Sequence, residues 1–164
     1  MIVKSYIFEN DLNKFNEFKS FLFYGVNLGL KLELKRKVKE NSKKDLVLNL
    51  NQNDLLENDI LFKEINTSSL FQERKILFIE NCNDKILPVI QNIIDKLDNN
   101  KIIIFSDSLD KKSKLRNFFE KGKNIACIAC YEDNEITLKK IIKNKLKDFK
   151  GLDSQNINMI MNCT

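Results

Sequence analysis

Apolar residues in this chain come as short unbroken runs, separated by stretches in which they recur every three or four positions. Phe21-Leu-Phe-Tyr24, closed by Gly25, predicts a fully buried strand. From Leu28 to about Glu40, Leu30, Leu34 and Val38 recur at helical spacing among Lys and Glu. Leu46–Leu50 predicts a second strand. Asp54 is placed to N-cap a helix carrying Leu55, Leu56, Ile60, Leu61 and Ile65. Thr67-Ser68-Ser69 interrupts that helix, because these side chains compete for backbone hydrogen bonds. The alternation then repeats: a strand at Lys75–Ile79, a helix at Lys85–Leu97 with Pro88 in its first turn, and a strand at Lys101–Phe105. A helix at Lys112–Lys121, a strand at Ile125–Cys130 and a basic amphipathic helix at Ile136–Phe149 follow. The opening segment adds an edge strand at Ile2–Phe8 and a short helix at Asp11–Lys19.

Strands separated by helices require crossovers, and crossovers give a mostly parallel sheet covered on both faces. The fold class is therefore α/β with three layers. After about Asp133 the strand pattern stops. Residues 1–133 read as the α/β domain and residues 134–164 as the beginning of a helical second domain, so the chain reads as a fragment of a longer protein.

Composition narrows the chemistry. With 164 residues, 43% of them hydrophobic, the chain can build a core of its own. Lys and Arg number 28 against 23 Asp and Glu, and the net charge of +5 permits a polyanionic partner without requiring one. There is no His, which excludes Ser-His-Asp and Cys-His catalysis, His-ligated metal and a His-based pH switch. The 4 Gly cannot supply both a dinucleotide fingerprint and the turns of an all-β fold. The N-terminal residues lack the pattern of a signal peptide, and no apolar run reaches membrane-spanning length. The expectation is a cytoplasmic protein with no membrane partner. Cys127-Ile-Ala-Cys130 lies inside an apolar run and reads as small buried thiols rather than as half of a zinc site.

Four features carry candidate chemistry. The loop after the first buried strand, Gly25-Val-Asn-Leu-Gly29-Leu-Lys31, approaches a P-loop, but its two glycines are one residue too close and no hydroxyl follows Lys31. Nothing is left to hold Mg²⁺, so no cofactor is expected. A nucleotide-binding phosphotransferase using Gly25–Lys31 is the enzyme-class alternative. Asp107 and Asp110 could pair on a metal, yet Ser108 or Asp110 serves better as the cap of the next helix. Leu70 and Phe71 sit together at a connection, where they either cover the core or form an exposed apolar wedge for a partner's pocket. Lys139, Lys140, Lys143, Lys145 and Lys147 crowd one helix, either as a solvated face or as a surface tracking nucleic-acid phosphates.

Four segments, in order, carry a family resemblance: Phe21–Gly25; Ser69-Leu-Phe-Gln-Glu-Arg-Lys75 running into Ile76–Ile79; Ile102–Leu115, with its strand–Ser–x–x–Leu–Asp–Lys–x–Ser–x–Leu pattern; and Cys130-Tyr131 leading to the helix from Ile136. The chain resembles the N-terminal part of the delta subunit of bacterial DNA polymerase III, a component of the sliding-clamp loader. The resemblance implies a RecA-like domain with a degenerate nucleotide site, followed by the start of a helical lid. It also implies that Leu70 and Phe71 enter the hydrophobic cleft of the clamp (the beta subunit), supported by Ser69, Gln72 and Arg74, so that the ring opens for loading onto primed DNA. Other loader subunits would be partners of the full-length protein. DNA-directed DNA polymerase, a nucleotidyltransferase, would describe the complex; no catalytic residue is expected on this chain. A sister loader subunit is the alternative within the class, although neither a zinc cluster nor an arginine finger is visible.

Overall fold

The computed structural model describes residues 1–5, 12–57, 60–67 and 74–162. Six strands form one sheet: β1 (Ile2–Lys4), β2 (Ser20–Tyr24), β3 (Leu46–Asn51), β4 (Lys75–Cys82), β5 (Lys101–Ser106) and β6 (Ile125–Ala129). Every pairing is parallel and the order is β1-β6-β2-β5-β4-β3. The continuous apolar runs explain the arrangement: β2 and β5 are buried along their whole length, as a strand covered on both faces must be.

The crossovers are α1 (Leu28–Asn41), α2 (Gln52–Glu57), α3 (Ile60–Asn66), α4 (Leu87–Ile93) and α5 (Lys114–Lys121). One sheet face meets α1 and the 3-10 helix Leu12–Glu17, and it is aromatic. Phe15, Phe21, Phe23 and Phe105 stack in succession at 4.9, 6.3 and 5.4 Å between ring centroids, and Phe78 continues the series 5.9 Å from Phe105. The opposite face is aliphatic. Leu22, Leu77, Ile79, Ile102 and Ile104 pack there with Leu55, Leu61, Ile90, Leu115 and Phe119. Alternation along β2 sends Phe21 and Phe23 to the first core and Leu22 and Tyr24 to the second.

Three helical expectations are corrected. Over the helix expected from Asp54, the described residues form α2 and α3 on either side of residues 58 and 59, which lie outside the described residues, and Asp54 lies in the first turn of α2 instead of capping it. That helix begins directly from β3 because Gln52 is buried there, with Oε1 accepting from Asn83 N at 2.8 Å. The helix expected at 85–97 is a 3-10 turn, α4 and a second 3-10 turn, with Pro88 in the first turn of α4 as expected. The cap of α5 is neither Ser108 nor Asp110 but Ser113, whose Oγ accepts from Arg116 N.

The chain divides into two compact units, Met1–Cys130 and Tyr131–Thr164. The second contains α6 (Glu135–Lys145) and α7 (Ser154–Met161), capped by Asn134 and Asp153, whose side chains accept from Thr137 N and Asn156 N. The two helices pack on each other. α6 ends four residues before Phe149, the end expected for it.

Candidate functional site

The loop from β2 to α1 stands at the carboxyl edge of the sheet, where parallel α/β folds place their ligands. Gly25 is required there: its φ is +131°, and a Cβ would lie 2.2 Å from the Cys130 carbonyl oxygen. The loop's backbone donors turn inward. Gly25 N donates to Asp107 O at 3.2 Å and Asn27 N to Cys130 O at 3.1 Å. Leu30 N donates to Asn27 Oδ1 at 2.9 Å, which caps α1. These are donors of the kind that a phosphate-cradling loop presents to its ligand.

Lys31 is turned inward as well. Its side chain is 8% exposed, and Nζ donates to the Ser106 carbonyl at 3.1 Å and lies 3.5 Å from Asp107 Oδ1. Beside it, a shallow cleft is lined by Leu28, Leu32, Lys35, Glu80, Asn81 and Phe105. Lys35 pairs with Glu80 and lies over the Phe78 and Phe105 rings at 5.1 and 5.8 Å, so this second cation is also engaged. Gly29 opens no contact of note; a Cβ there would meet only Asn27 Oδ1 at 3.6 Å. Asp107 is exposed toward solvent, whereas Asp110 Oδ1 accepts from Lys112 N and Ser113 N at 2.7 and 2.9 Å. Asp110 thus closes a turn.

The two cysteines of the Cys-x-x-Cys pair belong to different cores, Cys127 with the aliphatic face and Cys130 with the aromatic one. Burial pushes the Cys127 thiol up to about 12. Among the described residues no group of His, Cys, Asp and Glu could hold a metal ion.

Leu70 and Phe71, with Ser69 and Gln72, lie outside the described residues. Arg74 is described, and its guanidinium is engaged: Nη2 pairs with Asp45, and Nη1 is 3.4 Å from Asn16 Oδ1. Lys143 lies one turn from Lys139 (i, i+4) and from Lys140 (i, i+3) on α6, with Lys140 and Lys143 exposed and Lys139 half-buried. Lys145 closes the helix and the exposed Lys147 lies beyond it.

Three structural residues escape the sequence pattern. Lys75 and Lys101 head two of the expected strands, and both are buried. Their signal was position: each is the first residue of a strand that opens on an unbroken buried run. Asp84 caps α5 from a distance, accepting from Ser113 Oγ at 2.6 Å and from Leu115 N and Lys114 N at 3.0 Å. No local pattern encodes that contact.

No protein-family model matches the chain, and no curated protein does. Solved structures do. The Bacillus subtilis DNA clamp loader delta protein YqeN is similar at a TM-score of 0.63 and 15% identity, over 88% of this chain and 47% of that one. Domain III of the Thermotoga maritima replication initiation protein DnaA gives a TM-score of 0.50 and 16% identity, over 95% of this chain and 74% of that one. The Drosophila ORC structure bound to DNA gives 0.47 and 11%, over 80% and 42%. The chain spans about half the length of the clamp loader protein. The first two likenesses show the fold alone, an α/β domain with a mostly parallel sheet.

Proposed function

We propose that this chain is the clamp-binding part of a delta-type clamp-loader subunit, acting without catalysis of its own. The observation that carries the reading is the state of the β2–α1 loop in a fold of this kind: its amides and Lys31 are turned onto Asp107, Cys130 and Ser106. A loop so occupied holds the sheet edge together instead of a nucleotide, which disfavours both the phosphotransferase and an ATP-hydrolysing sister subunit.

The working surface in this reading is Leu70 and Phe71, entering a hydrophobic cleft of the sliding clamp, with Ser69 and Gln72 as supporting contacts. Burying two such side chains contributes roughly 1.5–3 kcal/mol each, which suits an anchor. Opening of the ring is then a population shift: the subunit binds the open form more tightly than the closed one and raises its share. The other loader subunits and primed DNA are partners through the remainder of the protein, with Lys139, Lys140, Lys143 and Lys147 as the residues available to phosphates. The setting is the replicative polymerase holoenzyme of the cytoplasm.

Ring opening is tested by placing clamps on circular DNA and following their release with this chain and no ATP. Faster release by the wild type, abolished in Leu70→Ala/Phe71→Ala, is expected. Release at the spontaneous rate by a folded wild-type chain that binds the clamp would refute the opening step.

A further inference from the structure

α4 and α5 both pack on the aliphatic core, and an open groove between them is lined by Leu87 and Gln91 of α4 and by Lys114, Asn117, Phe118 and Lys121 of α5. The α5 residues fall at i, i+3, i+4 and i+7, one face of two helical turns. Leu87 and Phe118 are half-buried and rest on the core beneath. The Phe118 ring is held edge-on against the fully buried Phe119, with 5.7 Å between centroids. Asp84 joins the two walls. It lies in the 3-10 turn that leads into α4, and its carboxylate accepts from Ser113 Oγ, Lys114 N and Leu115 N at the head of α5. The groove is therefore formed before anything enters it.

Charge decides what fits. α4 has no charged residue, and the groove side of α5 carries two exposed ammoniums, Lys114 and Lys121, about 10 Å apart along the helix. Neither contacts a carboxylate among the described residues, although Lys114 is near enough to Asp84 to help hold its carboxyl down. The one acid of α5, Glu120, is taken by Arg116 at 2.8 Å. Lys111, Lys112 and Lys123, all exposed, extend the positive charge beyond both ends of α5. The walls are helices with backbones bonded within themselves, so an extended segment would find no ladder to join. A helix brings its own backbone bonds and can set apolar side chains on Leu87 and Phe118 while its carboxylates meet the lysines. A phosphate backbone would use the lysines but gain nothing from the apolar floor.

We propose that the α4–α5 groove docks an acidic amphipathic helix of a partner protein, with apolar side chains one turn apart over Leu87 and Phe118 and carboxylates opposite Lys114 and Lys121. This is independent of the reading that Leu70 and Phe71 meet the clamp. The probe is a phage-displayed library of helical peptides with random surface positions, selected on the full chain and depleted on Lys114→Glu/Lys121→Glu. Both substitutions fall on exposed side chains, and folding of the variant is checked by its urea midpoint. The expected survivors share Asp or Glu flanking an apolar i, i+3 or i, i+4 pair. Such a peptide shifts the amide resonances of α4 and α5. It loses roughly tenfold in affinity toward the variant, and a similar amount when its own carboxylates are changed to amides. Gln91→Glu puts a like charge on the groove wall and also weakens binding; it replaces the double variant if that chain does not fold. No survivor after depletion, survivors that are basic or uncharged, or shifts confined to other elements overturn the proposal. Displacement of the peptide by oligothymidylate of equal affinity overturns it too, in favour of a surface for nucleic-acid phosphates.

Discussion

Lys101 shows how a single residue can be costly and still be kept. Its Nζ donates to the Phe15 carbonyl at 2.8 Å and to that of Phe18, where the 3-10 helix ends, and sits 4.8 Å from the Phe15 ring centroid. Burial pushes its pKa down from 10.5 to about 8; Arg74 nearby lowers it further, and Asp45 works the other way. Below pH 8 native and unfolded chains both hold the proton, so the native state carries the whole cost of the buried cation. Between about 8 and 10.5 the native lysine releases its proton while the unfolded one keeps it, and stability from this residue rises with pH. The urea midpoint of wild type relative to Lys101→Met should climb across that window. The comparison removes the opposing effect of Cys82 and Cys127, whose thiols burial pushes to about 12 and which favour the unfolded state as pH rises. A flat or falling difference would contradict the assignment.

At the scale of elements, α5 depends on a residue thirty positions away. Burial alone would raise the Asp84 carboxyl, but the bonds from Ser113 Oγ and the Leu115 and Lys114 amides outweigh it and leave the pKa lowered. That contribution is present above the ordinary carboxylate value of 3.8 and is lost as pH falls through the lowered native one. Asp84→Ala is expected to cost about 1 kcal/mol at neutral pH, read by urea unfolding, with the deficit shrinking in acid. An equal deficit at every pH would remove the charge from the account. The strands were legible because continuous apolar runs have few other uses: Phe21–Tyr24 and Lys101–Phe105 fall within one residue of β2 and β5. The start of α2 at Gln52 and the 3-10 turns on either side of α4 were not legible: the first rests on a bond to distant Asn83, and helical spacing does not separate a 3-10 turn from an α turn at a helix end. The failed P-loop spacing was visible in Gly25, Gly29 and Lys31, but the destination of Lys31 on Ser106 was not, since β5 is far away in sequence. Leu70 and Phe71 drew notice as adjacent large apolar residues at a connection, and they remain a reading of sequence, outside the described residues.

At the scale of the whole molecule, the two faces of the sheet are built differently for one end. Stacked aromatics under α1 and aliphatics under α2 to α5 bury β2, β4 and β5 from both sides. A sheet held this way presents its loops on a rigid base, which is what the proposed anchor of Leu70 and Phe71 requires. The carboxyl-edge loop is spent on structure, its amides and Lys31 being turned onto Asp107, Cys130 and Ser106. The most direct test is the equilibrium affinity of this chain for the sliding clamp of its own organism, measured beside Leu70→Ala/Phe71→Ala with folding of both verified. Binding by the wild type and at least a hundredfold loss in the variant is the predicted result, as truncating two central apolar anchors at about 1.5–3 kcal/mol each requires. Equal binding by both chains, or none by a folded wild type, would contradict it.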